Sequence, residues 1–239
     1  MTDMSNNIKF SSSAEFSHTH PYDRQFAERV PLLQAFNLAL SNYLSRSIRE
    51  AAADHSAREF TAAECGVYTG SSLIACGRIA ADANVPFRLF GLDTFAGLPP
   101  LSEIDQSLAP PDALYRTTAL FTDTSIDEVQ RKVSEANLSD HIKLLPGLFS
   151  ETLDLLTSNS YDFVNIDCDL YEPHLECLTY FYGRTVPGGI IFFDDYYSIH
   201  YPMARAAIDA FMADKPEQLL HLRFGPDAPN RTKAFFVKY

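Results

Sequence analysis

Ile166-Asp167-Cys168-Asp169-Leu170-Tyr171 and Phe193-Asp194-Asp195-Tyr196 each set a pair of carboxylates directly after an apolar run, Tyr161 to Ile166 in the first and Gly189 to Phe193 in the second. Short apolar runs of this kind read as buried strands, so both pairs emerge at strand ends, the edge at which open α/β sheets hold their ligands. Asp194 follows Asp167 by 27 residues. Four acids converging on one edge repel one another, and the simplest positive partner is a hard divalent cation bound through oxygen. Taken alone, each Asp pair is equally readable as a helix N-cap or a solvated turn.

Working outward, strand-like and helix-like pieces alternate. Arg58 to Ala63 reads as a strand, Ser72 to Ala83 as a helix, and Phe87 to Leu92 and Ile142 to Leu145 as two further strands. This βα rhythm predicts a doubly wound, mostly parallel sheet of the Rossmann-like α/β class. Near the C-terminus, Leu219 to Phe224 and Lys233 to Lys238 flank the turn-rich Gly225-Pro226-Asp227-Ala228-Pro229-Asn230, which predicts a closing antiparallel hairpin. Upstream, Phe26, Val30, Leu33, Phe36, Leu40, Tyr43, Leu44 and Ile48 recur at helical spacing, predicting a helical cover over 23–55 that packs on the sheet or on a second subunit of a homo-oligomer. Residues 1–22 are rich in Ser, Asn and His and read as an arm or lid before a single domain at 23–239. Proline-rich Gly97 to Ser125 reads as a long loop over the site.

Glu64-Cys65-Gly66-Val67-Tyr68-Thr69-Gly70-Ser71-Ser72 follows the first core strand and opens a helix. The glycines permit a tight turn and close backbone approach to a ligand, and the helix N-terminus offers free N–H groups. The pattern is E-x-G-x-x-x-G, neither the dinucleotide G-x-G-x-x-G nor a P-loop. Glu64 before the glycines favours a ligand with a cationic or hydroxyl-bearing portion. Twenty-nine residues on, Asp93 ends the next strand, where an acid accepts two hydrogen bonds from a ribose diol; its plain alternative is a helix N-cap or turn aspartate. Together the two motifs point to a nucleoside-bearing ligand.

These motifs, with Leu144-Leu145-Pro146-Gly147-Leu148-Phe149 and the blocks Asp167 to Glu172 and Val186 to Tyr196, resemble the macrocin O-methyltransferase type of S-adenosylmethionine (SAM)-dependent class I methyltransferases. The resemblance runs from about Phe60 to Ala210. It implies that Glu64, Gly66 and Gly70, with Ser71 and Ser72, hold the methionine end of SAM, that Asp93 holds the ribose, and that Gly147 and Phe149 lie near adenine. It implies Asp167, Asp194 and Asp195 as Mg²⁺ ligands and Asp169 as general base. The chemistry is self-consistent, since a bound cation lowers the pKa of an acceptor hydroxyl and a nearby carboxylate removes its proton. Two departures stand out: Cys168 where the family has Gly, which is expected to tighten the turn, and Pro173-His174 where Ser-Thr is usual, which is expected to alter the pocket mouth.

A net charge of −12 on 239 residues argues against nucleic acid and anionic membrane as partners, because both are held by clustered Lys and Arg. A hydroxylated small molecule is the better partner. Cys65, Cys76, Cys168 and Cys177 form no C-x-x-C pair and read as free thiols of a reducing compartment. With no signal-peptide pattern and no apolar run near 18 residues, the expected location is cytoplasmic. His174, His200 and His221 are assigned no role. Tyr196, Tyr197, His200 and Tyr201 crowd the loop after the second acid pair and read either as an acceptor pocket or as packing for the helix Met203 to Met212, whose Ala206, Ala207 and Ala210 would form its close face.

The expected function is Mg²⁺- and SAM-dependent O-methylation of a small molecule, a sugar or polyketide-derived group of secondary metabolism. One alternative is a glycosyltransferase using Asp167-Cys168-Asp169 as a metal-binding D-x-D; another is a non-catalytic SAM-binding protein.

Overall fold

A computed structural model of the chain describes residues 21–52, 58–158, 160–223 and 232–239, with side chains from 29 to 50 in the first of these segments. Seven strands form one mixed sheet: β1 (Phe60–Cys65), β2 (Phe87–Asp93), β3 (Ile142–Pro146), β4 (Tyr161–Ile166), β5 (Thr185–Phe193), β6 (Leu220–Arg223) and β7 (Thr232–Val237). Their order is β3-β2-β1-β4-β5-β7-β6. The first five pair in parallel, and β7 runs antiparallel to both β5 and β6. The α/β expectation and the antiparallel C-terminal strands therefore hold; the turn Gly225 to Asn230 lies outside the described residues, as does the arm at 1–20.

The chain winds outward from β1 to β3 and then returns to β4 beside β1, so the topological switch point lies between β1 and β4, where such sheets open a crevice. The ladder carries one residue past each strand end. Gly147 N–H donates to the Asp93 carbonyl at 3.0 Å, Gly66 N–H to Leu92 at 2.9 Å, Asp167 N–H to Cys65 at 2.8 Å and Asp194 N–H to Ile166 at 3.2 Å. Residues distant in sequence are thereby aligned along one edge.

Both faces of the sheet are covered, as a parallel sheet requires. Helices α1 (Pro21–Ala52), α2 (Ser71–Asp82) and α4 (Ile126–Glu135) close one face around Phe36, Phe60, Leu73, Val129, Phe163 and Phe192. The short α5 (Phe149–Thr152), α6 (Tyr171–Tyr182) and α7 (Pro202–Met212) close the other around Val164, Ile166, Phe181, Phe193 and Phe236. Adjacent residues Phe163 and Val164 fall in opposite cores because strand side chains alternate.

Helix α1 is one continuous element through 21–52, the residues described there. Its buried stripe is Leu32, Ala35, Phe36, Ala39, Leu40 and Tyr43, while Leu44 and Ile48 are exposed. At 100° per residue Leu44 sits just past the Leu40 edge of the stripe and Ile48 further round, so the predicted apolar face was too broad. Phe36 meets Phe60 and Phe163 edge-on at 5.4 and 5.2 Å, and Arg46 of α1 and Arg58 both pair with buried Asp162, which also accepts the Thr61 N–H at 3.0 Å. The cover is thus both greased and ionically tied to β1 and β4.

Three other expectations need correction. Residues 97–125 are not a bare loop: they contain helix α3 (Glu103–Leu108), whose Ser102 and Asp105 form a reciprocal capping box, and a 3₁₀ turn at Leu114–Arg116. In α7 the buried side chains are Met203, Ala204, Ala207, Ile208 and Met212, while Ala210 is exposed, because the alanine spacing 206–210 falls on the solvent side. Strand β1 begins two residues later than read and extends through Glu64 to Cys65. No helix among the described residues is long and apolar enough to cross a membrane.

Candidate active site

A cavity of about 600 Å³ opens at the C-terminal edge of the parallel strands. Gly66, Ser71, Ser72 and Asp93 line one side, Gly147 and Phe149 extend that side, and Asp167, Asp169, Asp194 and Asp195 line the other. Ten of the twelve residues singled out in the sequence thus share one chamber. Glu64 and Gly70 do not line it.

The turn after β1 depends on Gly66. Its φ is +91°, and a Cβ there would lie 1.7 Å from the Asp167 carbonyl oxygen. The glycine turn and the first acid pair are therefore in backbone contact, and no side chain fits between them. Asp93 completes the turn: one carboxylate oxygen accepts the Val67 and Tyr68 N–H groups at 2.7 and 2.8 Å, and the other accepts that of Phe95 at 2.8 Å. The first oxygen thereby uses both its lone pairs on the turn, and only the second has acceptor capacity left.

Glu64 sits beneath this turn, 3% exposed. Its Oε1 accepts Ser72 Oγ at 2.6 Å and Asn165 Nδ2 at 2.8 Å, which pins the start of α2 to β4. Its Oε2 is buried with no hydrogen-bond partner among the described residues, and neither has Asn165 Oδ1. Burial pushes the Glu64 carboxyl up to about 7 against the hydrogen bonds of Ser72 and Asn165 and the charge of Arg29. Two unpartnered acceptor oxygens beside the glycine turn suit a ligand bearing donor groups, such as an ammonium.

This makes a pH prediction. The folded pKa of Glu64 lies above its ordinary 4.5, so the fold binds that proton more tightly than the unfolded chain does. The associated stability is complete below pH 4.5 and is lost as pH rises through about 7, on the order of 3 kcal/mol in all. Denaturant melts of the ligand-free protein at pH 5 and pH 8 are expected to differ by about that much more for the wild type than for Glu64→Gln. Equal pH slopes would show that Glu64 is not strained by its burial.

The acid pairs form a tighter group. One carboxylate oxygen from each of Asp167, Asp194 and Asp195 lies within 4.8 Å of the others. Burial raises the Asp167 carboxyl well above the usual range, with Asp194, Asp195 and Asp169 adding to it; burial and Asp194 hold that of Asp195 up at about 7. The donor set is all oxygen and anionic, and its mutual repulsion is relieved by a positive charge, so it fits a hard divalent cation. Asp169 lies beside this group with its N–H donating to Asp195 Oδ2 at 3.2 Å and its carboxyl likewise raised, first by burial and then by Asp195. Its φ of +62° is what turns its side chain away from the strand direction of Asp167.

Of the residues that depart from the family pattern, Cys168 and His174 pack against each other, while Pro173 lines the cavity. The left-handed residue of this turn is Asp169 and not Cys168, so Cys168 needs no glycine-like freedom. Its Sγ lies inward, 3.4 Å from His174 Nδ1, and its thiol is pushed up to about 12 by burial. His174 is fully buried on α6, contacts the Leu170 carbonyl through Nδ1 at 2.8 Å, and is held down to about 4 by burial. It belongs to the core and not to the pocket mouth. The aromatic loop divides similarly: Tyr196 is buried with its hydroxyl on Asp209, while Tyr197 and Tyr201 line the cavity. All four cysteines are free and buried.

Among the cavity residues that escaped the sequence reading, four bear on the site. Asn165 is, with Asp162, a polar residue inside a buried strand, a signal that was available. Asp105 accepts the Tyr171 N–H at 2.8 Å, fastening α3 to the start of α6. Lys233 Nζ donates to the Asp194 carboxylate and to its carbonyl oxygen at 2.9 Å. Burial opposes its charge, but Asp194 more than offsets this and holds the ammonium above the usual lysine range. Arg29 enters from α1. For the last three, nothing in the local sequence marks them.

The family described as Macrocin-O-methyltransferase (TylF) matches residues 39–219. A demethyldecarbamoylnovobiocin O-methyltransferase of Streptomyces niveus is 30% identical over 152 residues, 63% of this chain and 57% of that protein. A mycinamicin III 3''-O-methyltransferase of Micromonospora griseorubida is 30% identical over 136 residues, 56% of this chain and 54% of that protein. The chain thus spans little more than half the length of these curated relatives. Among solved structures, the O-methyltransferase NovP superposes with a TM-score of 0.63 at 23% identity, covering 84% of this chain and 78% of that one. CalS11, a calicheamicin methyltransferase, superposes with 0.59 at 19% identity, covering 95% and 99%. At those identities the structures speak for the fold alone. The family match takes in β1 through α7, the glycine turn and both acid pairs, and by it the chain belongs to the macrocin O-methyltransferase family.

Proposed function

We propose that the chain transfers the methyl group of SAM to a hydroxyl of a small molecule, a sugar or polyketide-derived group of antibiotic-type metabolism, with Mg²⁺ assistance. The observation that carries this reading is the contact between its two halves: Gly66 of the cofactor turn abuts the backbone of Asp167, whose carboxylate stands within 4.8 Å of those of Asp194 and Asp195. A nucleoside ligand on the turn and a cation on the acids would be neighbours in one chamber. The names of three relatives, O-methyltransferases of demethyldecarbamoylnovobiocin, of mycinamicin III and of a rhamnosyl-tetracenomycin, support the acceptor class.

When bound, SAM supplies an electrophilic methyl on its sulfonium and the cation lowers the pKa of the acceptor hydroxyl. The chain does the rest. Glu64 and Asn165 offer free oxygens to the methionine ammonium, Asp93 stands at the ribose position, and Gly147 with Phe149 borders the place for adenine. Asp167, Asp194 and Asp195 would hold the cation. Asp169 takes the hydroxyl proton, and burial among acids makes it a stronger base than an ordinary aspartate. The chamber lies under α3, and Tyr115 of the same segment stacks on Tyr201 at 4.9 Å and donates to the His200 carbonyl at 2.6 Å, a cover that would hold acceptor and donor in line.

Calorimetry with SAM and with UDP-sugars tests the reading against the D-x-D glycosyltransferase alternative. Saturable heat is expected with SAM and none with UDP-sugars; the reverse would exchange the two. Incubation with SAM, Mg²⁺ and a library of hydroxylated metabolites is expected to add one methylene unit to a product by mass spectrometry. EDTA is expected to stop this and excess Mg²⁺ to restore it, and turnover that survives chelation would remove the metal from the proposal.

A further inference from the structure

The acid cluster already carries a cation of its own. Strand β7 pairs with β5 so that Ala234 faces Phe193, which places the next residue pair, Lys233 and Asp194, opposite each other at the sheet edge. The Lys233 ammonium donates to both the carboxylate and the carbonyl of Asp194, and its side chain is only 12% exposed. A pin between two strands needs the carbonyl contact alone. The second contact engages an oxygen of a residue whose neighbours, Asp167 and Asp195, bring two more carboxylates to the same spot. Arg29, the other cation lining the cavity among the described residues, acts on Glu64.

We propose that Lys233 is a positioning residue of the acid site: it orients Asp194 and offsets the acidic charge while no divalent cation is bound, and it thereby weakens the site for that cation. The inference rests on the reading of Asp167, Asp194 and Asp195 as cation ligands. A fixed positive charge within one carboxylate of the incoming ion opposes it directly in a buried setting, where screening by salt is slight. The site is then held together when empty and releases its cation readily. Asp194 exchanges an ammonium for a metal instead of moving from a repulsive cluster into a bound one.

The test uses the full chain without SAM or acceptor, with Mn²⁺ as probe. Free Mn²⁺ is read by electron paramagnetic resonance at fixed pH and salt, and thermal melting is followed with and without the ion. Lys233→Met is expected to bind Mn²⁺ about 10- to 100-fold tighter than wild type. Its metal-free form is expected to melt lower, with Mn²⁺ restoring most of the loss, whereas Lys233→Arg, which keeps the charge, stays near wild type in both. A Lys233→Met protein that folds only with Mn²⁺ present is the same result in its strongest form. Equal or weaker Mn²⁺ binding by Lys233→Met, or a loss of stability that Mn²⁺ does not repair, would make Lys233 a simple strand pin and overturn the proposal. If no form, wild type included, binds Mn²⁺, the cation reading itself fails and takes the inference with it; SAM binding would be untouched by that result.

Discussion

Asp169→Asn is expected to lower methyl transfer by about 10² to 10⁴-fold while leaving SAM affinity and folding intact. The substitution keeps the shape of the side chain and removes only its ability to take a proton. Asn is also suited to the backbone here, because Asp169 sits at φ +62° and asparagine tolerates the left-handed region better than almost any other residue with a Cβ. Loss of a carboxylate from a group raised by burial and by Asp195 relieves repulsion, so the ligand-free protein should melt no lower than wild type. The measurements are initial rates, SAM calorimetry and a melting curve on one preparation. Full turnover in the variant would remove Asp169 as the base, and a parallel loss of SAM binding would assign it to the cofactor instead.

Gly66→Ala meets the closest contact found at any glycine among the described residues. The added Cβ would stand 1.7 Å from the Asp167 carbonyl oxygen, and φ at +91° is itself unfavourable to alanine. The Cβ is fixed by the Gly66 backbone and the oxygen belongs to the Asp167 backbone, just past the paired ends of β1 and β4, so no rotamer change relieves the overlap. A penalty on the order of 5 kcal/mol or more consumes most of the stability of an ordinary domain, and the expected result is insoluble or unfolded protein. Gly70→Ala supplies the graded control. There the new Cβ meets Val129 Cγ1 at 2.7 Å, a side chain that can turn, so a folded protein with a lowered melting temperature is expected despite the positive φ of +79°. A well-folded Gly66→Ala protein would show that the glycine turn and the acid strand are not in the contact described.

Much of this site was legible before any coordinates. Asp167 and Asp194 follow apolar runs that could only be buried strands, and Glu64, Gly66 and Gly70 sit at a strand-to-helix junction that the glycines mark. Those signals are local, because strand period, turn chemistry and chain order act over a few residues. The misreadings arose where a local pattern had several solutions. Leu44 and Ile48 match a helical repeat as well as Leu40 does, and only the position of the sheet beneath α1 selects the buried stripe. Proline in 97–125 signals irregular chain but does not exclude α3, whose capping box rests on Ser102 and Asp105 three residues apart.

Chain order and residue pattern by themselves determined a parallel sheet with acids and glycines at one edge, since burial and backbone geometry leave an apolar run few other places to go. Tertiary structure alone decided which groups stand against them. Lys233 reaches Asp194 across 39 residues and Asp105 reaches Tyr171 across 66. His174 is directed into the core, away from the pocket mouth, and Cys168 Sγ lies against it. Electrostatic and hydrogen-bond partners are chosen by proximity in space, and sheet register sets that proximity through pairings that no short stretch of sequence contains.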